Sequence, residues 1–469
     1  MGAVAAQAAV RRVGAAPVPG GVAVREPPAG AAAWAFAAAA PAVAAAAAAP
    51  MGLGALLAAV ADRHPSRVAF VDQAGKAAWC GRPAITWTYA AAREIIARLA
   101  EGLARLRLPP RSPVGLCMAG MAECHLTLLA IEQAGHVPCL LPVTWDEARL
   151  LQAVEAAQIQ AVLTQGQLGT DRPAERLCRV AARYFPLRFV AAFGPHVPDG
   201  VIGLDQIVLD HRGDAAALGT GPAAGLVSFA LGVPAAGPRP APSRAAGAPP
   251  EPDGPPAAMH RDGDALAAAA AACLVPLRIA PGDRLLTLLP PSDLKGLATG
   301  LAAALLSGAT LECHPVFDAA ALSAALDQPL PTHLVAPAWM EAGLARTTAQ
   351  GRLRTIAYVH RAPARLSGRE PGRPGVVDVV AFDELALLAG RRDALDVGLV
   401  LAAPERAAAA GGLVQIRRDP DGRLAFRGPA CGAGMLQRGI SPVDSVDEWR
   451  PSRYRATLFA GVATALTLA

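Results

Sequence analysis

Short, largely apolar runs separated by stretches of helical spacing are the feature that most constrains this chain. VGLCM (Val114–Met118), HVPCLLP (His136–Pro142), AVLT (Ala161–Thr164) and FVAAF (Phe189–Phe193) each suit a strand buried on both faces. ITWTY (Ile85–Tyr89) reads as a short strand entering a helix, on which Ile95, Leu99, Leu103 and Leu106 form one apolar face. This segment is expected to open the folded part. A second helix spans about Ala122 to Ala134, with Gly135 placed to end it. A third carries Leu150, Leu151 and Val154. Alternation of this kind predicts a parallel sheet covered by helices.

The pattern breaks and then resumes. LVSF (Leu226–Phe229) is a strand, but from Gly232 to about Ala258 the chain is rich in Pro, Gly and Ala. Such a stretch continues neither a helix nor a central strand, and it reads as a long exposed loop. A helix from about Asp264 to Leu277 follows. Buried strands are then expected at RLLTLLP (Arg284–Pro290), ATLECH (Ala309–His314), THLVAP (Thr332–Pro337), RTIAYV (Arg354–Val359) and VVDVVAF (Val376–Phe382). The last seventy or so residues hold shorter strands joined by glycine and aspartate turns, as in LVQIRR and LAFRG. The expected organisation is an Ala/Pro-rich tail (1–50), a first α/β unit (51–215), the Pro/Gly-rich stretch (216–258), a second α/β unit (259–397) and a small β-rich lobe (398–469).

Composition narrows the function. The net charge is +5 over 469 residues, with no basic run interleaved with aromatics, so nucleic-acid binding has no support. The alanine stretch of the tail is interrupted by Pro41 and lacks Leu and Ile. That disfavours a membrane span or signal peptide and favours a disordered or partly helical tail. None of the eight cysteines forms a C-x-x-C pair or joins a zinc-spaced cluster. Reduced thiols and a cytoplasmic location are therefore expected. His125, His314 and His333 sit in apolar stretches and read as core residues, whereas His360 and Arg361 end a strand, where ligand sites of open α/β sheets lie.

From about Leu53 onward, the order of these segments resembles the large domain of the adenylate-forming (AMP-dependent) acyl- and aryl-CoA synthetases and ligases. ITWTYAAA is similar to that family's Thr-Tyr-x-Glu-Leu helix entry. LLAIEQAGHVPCLLP resembles its alanine–glycine–proline stretch, LLPPSDLKGLATG its Phe-His-x-x-Gly segment, and DGRLAFRGP its Gly-Glu-Leu β motif. The resemblance implies two helix-covered, mainly parallel sheets plus a small β-rich lobe. It also implies ATP and Mg2+ as cofactors, and a lysine-bearing C-terminal small domain that the chain is expected to lack.

The motifs that carry the family's chemistry are degenerate. Its phosphate loop, Thr-Ser-Gly-Thr-Thr-Gly-x-Pro-Lys-Gly, aligns with Ala230–Arg239: Gly232 and Gly237 match, and Arg239 stands for the lysine with one residue inserted. The hydroxyls are gone, and Pro234 and Pro238 lack the N–H donors that a phosphate cradle uses. The Phe-His-x-x-Gly motif becomes Ser292–Gly296, which puts Asp293 and Gly296 at the substrate pocket; a solvated turn is the simpler reading of Asp293 and Lys295. Tyr-Gly-x-Thr-Glu becomes Val380–Glu384, with Phe382 at the nucleotide and Glu384 matching the magnesium-binding glutamate. An ordinary helix N-terminus is the competing reading of Asp383 and Glu384. The ribose-binding aspartate is missing after Trp449, and neither Lys76 nor Lys295, the two lysines of the chain, takes the place of the small-domain lysine.

Residues acting as one catalytic unit fail together when one is lost. The expectation is a catalytically impaired ligase-like protein that binds an acyl or aryl ligand, with His360 in its pocket, or a partner such as an acyl-handling protein. The alternative is an active acyl- or aryl-CoA ligase completed by a separate small domain.

Overall fold

Three sheets organise the computed structural model, which describes residues 52–220, 225–230, 255–347, 353–362, 374–392, 399–400, 413–431, 433–435, 448–459 and 462–468. The first sheet has eight strands, in the order Ile202–Gly203, Phe189–Phe193, Ala161–Gln165, Pro113–Cys117, Val137–Leu140, Leu226–Ala230, Ala257–Arg261, Ala433–Met435. Its strands are parallel as far as Leu226–Ala230; the last two are antiparallel.

The second sheet also has eight strands: Ala386–Arg391, Gly375–Phe382, Leu353–Arg361, Thr332–Pro337, Arg284–Thr287, Thr310–Cys313, Val68–Asp72 and Thr86–Thr88. Only the two edge strands run antiparallel to their neighbours. The third sheet is antiparallel and five-stranded, Leu399–Val400, Val462–Leu468, Arg450–Phe459, Arg423–Arg427, Gln415–Arg418. This is the expected architecture of two largely parallel, helix-covered sheets and a β-rich lobe.

Local chemistry places the helices. Thr88 accepts from the Ala91 N–H at 3.2 Å and opens Tyr89–Ala104; Asp146 does the same for Glu147–Ala156 through Arg149 N at 2.8 Å. Gly135, at φ 78°, turns the chain out of the helix Ala122–Gln133, a conformation that costs a glycine little. The alanine-rich helix Gly263–Leu277 is buried along most of its length and packs against Leu294–Thr299 and Leu301–Ser307. Its small side chains let these helices approach closely.

Three expectations need correction. Among the described residues the helix Leu53–Arg63 already precedes Ile85, so that segment does not open the folded part. The strand Ala257–Arg261 lies partly within the stretch read as a loop, held by antiparallel pairing with Leu226–Ala230. The division at residue 215 also fails to separate two sheets. Val68–Asp72 pairs in parallel with Thr310–Cys313, so the first segment of the chain completes the second sheet.

That crossover carries a buried charge network. Lys76 is fully buried and donates to Asp72 at 2.6 Å and to Glu123 at 2.7 and 2.5 Å. Asp72 also accepts from Ala122 N and Ile85 N, while Arg82 joins Glu123 at 3.0 Å to Asp205 at 2.7 Å. The second sheet is thereby tied to the helix that follows the central strand of the first. His125, His314 and His333 are all buried, as expected, and seven of the eight cysteines are buried free thiols. No helix among the described residues is long and apolar enough to cross a membrane.

Candidate functional site

The strands of both parallel sheets end at one cavity of about 600 Å3. Pro142, Trp145 and Phe229 face it from the first sheet; Leu289, Pro290, Pro337, Trp339 and Val359 face it from the second. Trp145 and Phe229 meet edge to face, 5.8 Å between ring centres. Apolar walls with a few polar groups are the usual composition of a small-molecule site. The polar groups here are Ser292, Asp293, Lys295, His360, Arg361 and Glu384.

Glu384 comes from a tight turn, not a helix. Gly375–Phe382 and Ala386–Arg391 pair antiparallel across it, and Asp383 takes a left-handed φ of 50°. The helix reading of Asp383 and Glu384 is therefore wrong: the strand period continues on both sides and the two acids occupy the hairpin tip. Asp383 is held by both arms of Arg453, at 2.8 Å each. Glu384 Oε2 accepts from the Ser228 hydroxyl and, at 3.0 Å, from Leu294 N–H. Arg261, itself buried, donates to the Glu384 carbonyl oxygen.

Asp293 is the N-cap of Leu294–Thr299, accepting from Gly296 N at 2.9 Å with one oxygen and ion-paired to Lys295 with the other. Neither residue is a solvated turn residue, since each side chain is only 19% exposed. Gly296 does not line the cavity; a Cβ there would lie 1.8 Å from the Pro290 carbonyl oxygen, so its role is close packing of the loop on the helix. Burial, reinforced by the Arg361 guanidinium, lowers the Lys295 ammonium to about 8, against Glu384 and Asp383, which raise it. The ion pair with Asp293 also opposes that fall.

His360 is oriented from behind. Its Nε2 lies 2.9 Å from Asp378 Oδ1, and the same carboxylate is bound by Arg392 through Nε at 2.8 Å and Nη2 at 2.5 Å. Burial raises the Asp378 carboxyl, but His360 and Arg392 outweigh it and hold it below its ordinary value. An ionised carboxylate only accepts, so His360 Nε2 carries a proton towards Asp378, which leaves Nδ1 as the ring nitrogen that this contact does not engage.

Phe382 does not reach the cavity. Its ring is fully buried against Phe426 at 4.7 Å and Tyr454 at 5.6 Å, where the β-rich lobe packs on the second sheet. Alternation along the strand turns residue 382 to the face opposite the site. Gly232, Gly237 and Arg239 lie outside the described residues. The structure thus brings Asp293, His360 and Glu384 together. Arg361, read beside His360 at the strand end, lines the same cavity. The structure adds Lys295 and Ser228, which the sequence pattern does not join into one site; the scarcity of lysine is the available signal for Lys295.

Among the described residues, two largely parallel sheets meet at their strand C-termini, with an antiparallel sheet beside them. Residues 57–191 match the model of the AMP-binding enzyme family. Among solved structures, the chain is similar to apo MbtA of Mycobacterium smegmatis, at 20% identity and a TM-score of 0.64, covering 90% of this chain and 76% of that one. It is similar to ATP-bound MatB of Rhodopseudomonas palustris at 16% identity and a TM-score of 0.65, covering 89% and 79%. The Klebsiella oxytoca NpsA N-terminal subdomain, in complex with anthranilyl-AMSN, matches at 14% identity and a TM-score of 0.58, covering 89% of this chain and all of that one. At these identities the likeness is one of fold. No curated protein matches the sequence.

Proposed function

We propose that this chain is a divergent adenylate-forming-ligase-like protein, impaired in adenylation, which uses its cavity to bind an acyl or aryl ligand. The supporting observation is the engagement of Glu384. The oxygen that the family would offer to magnesium accepts from the Ser228 hydroxyl and the Leu294 N–H. Its neighbours do not extend the donor set: Asp383 is clamped by Arg453 and Asp293 by Gly296 and Lys295. Among the described residues no three His, Cys, Asp or Glu side chains converge to hold a metal. In the sequence, Ala230–Arg239 offers no hydroxyl and two prolines where phosphate oxygens would need donors. This donor set does not fit a magnesium–triphosphate pair. The aromatic and proline walls fit an apolar acyl or aryl body instead.

The second reading is an active acyl- or aryl-CoA ligase completed by a C-terminal domain supplied separately. The position of Glu384 on the cavity wall favours it. Calorimetric titration of the full chain with ATP and magnesium, joined to an assay for carboxylate-dependent pyrophosphate release, separates the two. The first reading expects no saturable nucleotide binding, and benzoate or a medium-chain acid quenching tryptophan fluorescence. Saturable ATP binding with pyrophosphate release overturns it.

A further inference from the structure

The cavity holds one group that neither reading uses, a lysine amine. The chain has two lysines. Lys76 is fully buried and bound by two carboxylates, Asp72 and Glu123. Lys295 lies on the cavity wall, among Pro142, Trp145, Phe229 and Trp339. The charged and titratable groups around it are Asp293, Arg361, Glu384, His360 and, one residue behind the wall, Asp383. Asp293 fixes the amine by an ion pair and is itself fixed by the Gly296 N–H. His360 faces the same space with Nε2 anchored on Asp378.

A lysine becomes a nucleophile towards carbonyl carbon when it is desolvated in an apolar pocket or set beside another cation. Both conditions hold here, against the Asp293 ion pair: Lys295 is only 19% exposed on the wall of a largely apolar cavity, and Arg361 lines the same cavity. A general acid–base is also needed, because carbinolamine formation and loss of water each move a proton. The Asp378-held imidazole supplies one.

We propose that Lys295 is a covalent site for aromatic aldehydes, which it binds as an imine, with His360 carrying the protons. The free amine Nζ attacks the carbonyl carbon; the N–C bond forms and the carbonyl π pair moves to oxygen. Transfer of a proton from nitrogen to oxygen gives the carbinolamine. The His360 imidazolium then protonates the hydroxyl through Nδ1, the C–O bond breaks, water leaves and the nitrogen lone pair closes the C=N bond. Loss of the remaining N–H proton to the imidazole leaves the neutral imine. Nothing is oxidised or reduced. The aryl ring occupies the space between Trp145, Phe229 and Trp339, where edge-to-face contact is already the local packing mode.

The test treats the full chain with benzaldehyde and sodium cyanoborohydride and locates the trapped benzyl group by peptide mass spectrometry. Labelling is expected on Lys295 and not on Lys76. At pH 7 its rate should be roughly tenfold or more above that of Nα-acetyl-lysine amide, because a depressed ammonium leaves more free amine at neutral pH. The rate should rise with pH and level off above about 8. His360→Ala, with unchanged circular dichroism, should slow trapping severalfold; Lys295→Arg should abolish it. Labelling no faster than the free lysine, or preferring the α-amine, overturns the proposal. So does a His360→Ala variant that folds and reacts like the parent; if that variant does not fold, the rate and pH profile of the parent decide. The proposal shares its cavity with the reading above but uses no nucleotide. ATP turnover would overturn the impaired-ligase reading and leave Lys295 labelling intact, whereas absent labelling would overturn this inference alone.

Discussion

Ser228 and Glu384, 156 residues apart in the chain, meet through a hydrogen bond from hydroxyl to carboxylate. Ser228 lies on a strand of the first sheet and Glu384 sits at a hairpin tip of the second, so the bond joins the two sheets beside the cavity. The Leu294 N–H completes the contact at 3.0 Å.

Glu384→Ala removes the acceptor from two buried donors at once. An unmet buried donor costs about 1–3 kcal/mol, so with two donors the variant should lose roughly 2–6 kcal/mol. Glu384→Gln keeps a carbonyl acceptor and should lose less. Urea unfolding of the three proteins checks the order, and equal losses would show that the contact contributes only packing.

Lys76→Met strands Asp72 and Glu123 as buried carboxylates, with Arg82 still on Glu123. Removing one partner of a buried ion pair typically costs about 3–5 kcal/mol. Burial, then the Glu123 charge, raises the Asp72 carboxyl even with Lys76 present. A carboxyl raised in the folded state contributes stability at low pH that is lost as pH rises through its folded value. The deficit of Lys76→Met should therefore shrink on acidification, as Asp72 takes up its proton, and denaturation midpoints at pH 5 and pH 8 measure it.

Glu132 is raised by burial to about 7, against the backbone N–H groups of Gly54 and Leu53 that lower it. By the same sign, its contribution is full below about 4.5, the ordinary value, and fades as pH rises through 7. Glu132→Gln should flatten that fall and gain on the parent by about 1–2 kcal/mol at pH 8, a figure discounted for the partial exposure of the side chain. A parent whose melting temperature does not change between pH 5 and 8 would contradict it.

Gly296→Ala places a Cβ 1.8 Å from the Pro290 carbonyl oxygen, a backbone atom that cannot swing away. The Ser292–Gly296 loop must shift, at a cost of about 3 kcal/mol or more. Reduced melting temperature together with altered tryptophan emission, from Trp145 and Trp339 on the same cavity, is the expected signature.

Phe382→Leu deletes ring contacts with Phe426 and Tyr454 and should cost about 1–2 kcal/mol. Affinity for any aryl ligand of the cavity should not change, since the ring faces the other way. A loss of ligand affinity without loss of stability would restore Phe382 to the site.

Apolar period and turn punctuation make most elements legible in the amino-acid sequence. Phe189–Phe193 is a strand with the expected bounds, and Gly135 ends a helix where glycine is needed. The order of such elements points to the fold, and Asp293, His360 and Glu384, expected at a site, share one cavity. What local patterns miss is long-range or directional. Val68–Asp72 joins a strand about 240 residues later, a pairing no local pattern encodes. The hairpin at Asp383–Glu384 resembles a helix start because acids suit both. The sequence by itself determined which segments form buried strands and helices, because apolar spacing and caps act within a few residues. Only the tertiary structure decided that Phe382 turns inward while Lys295, His360 and Glu384 face a common space: side-chain direction there follows from pairing register and from the approach of two sheets, and these depend on the whole chain.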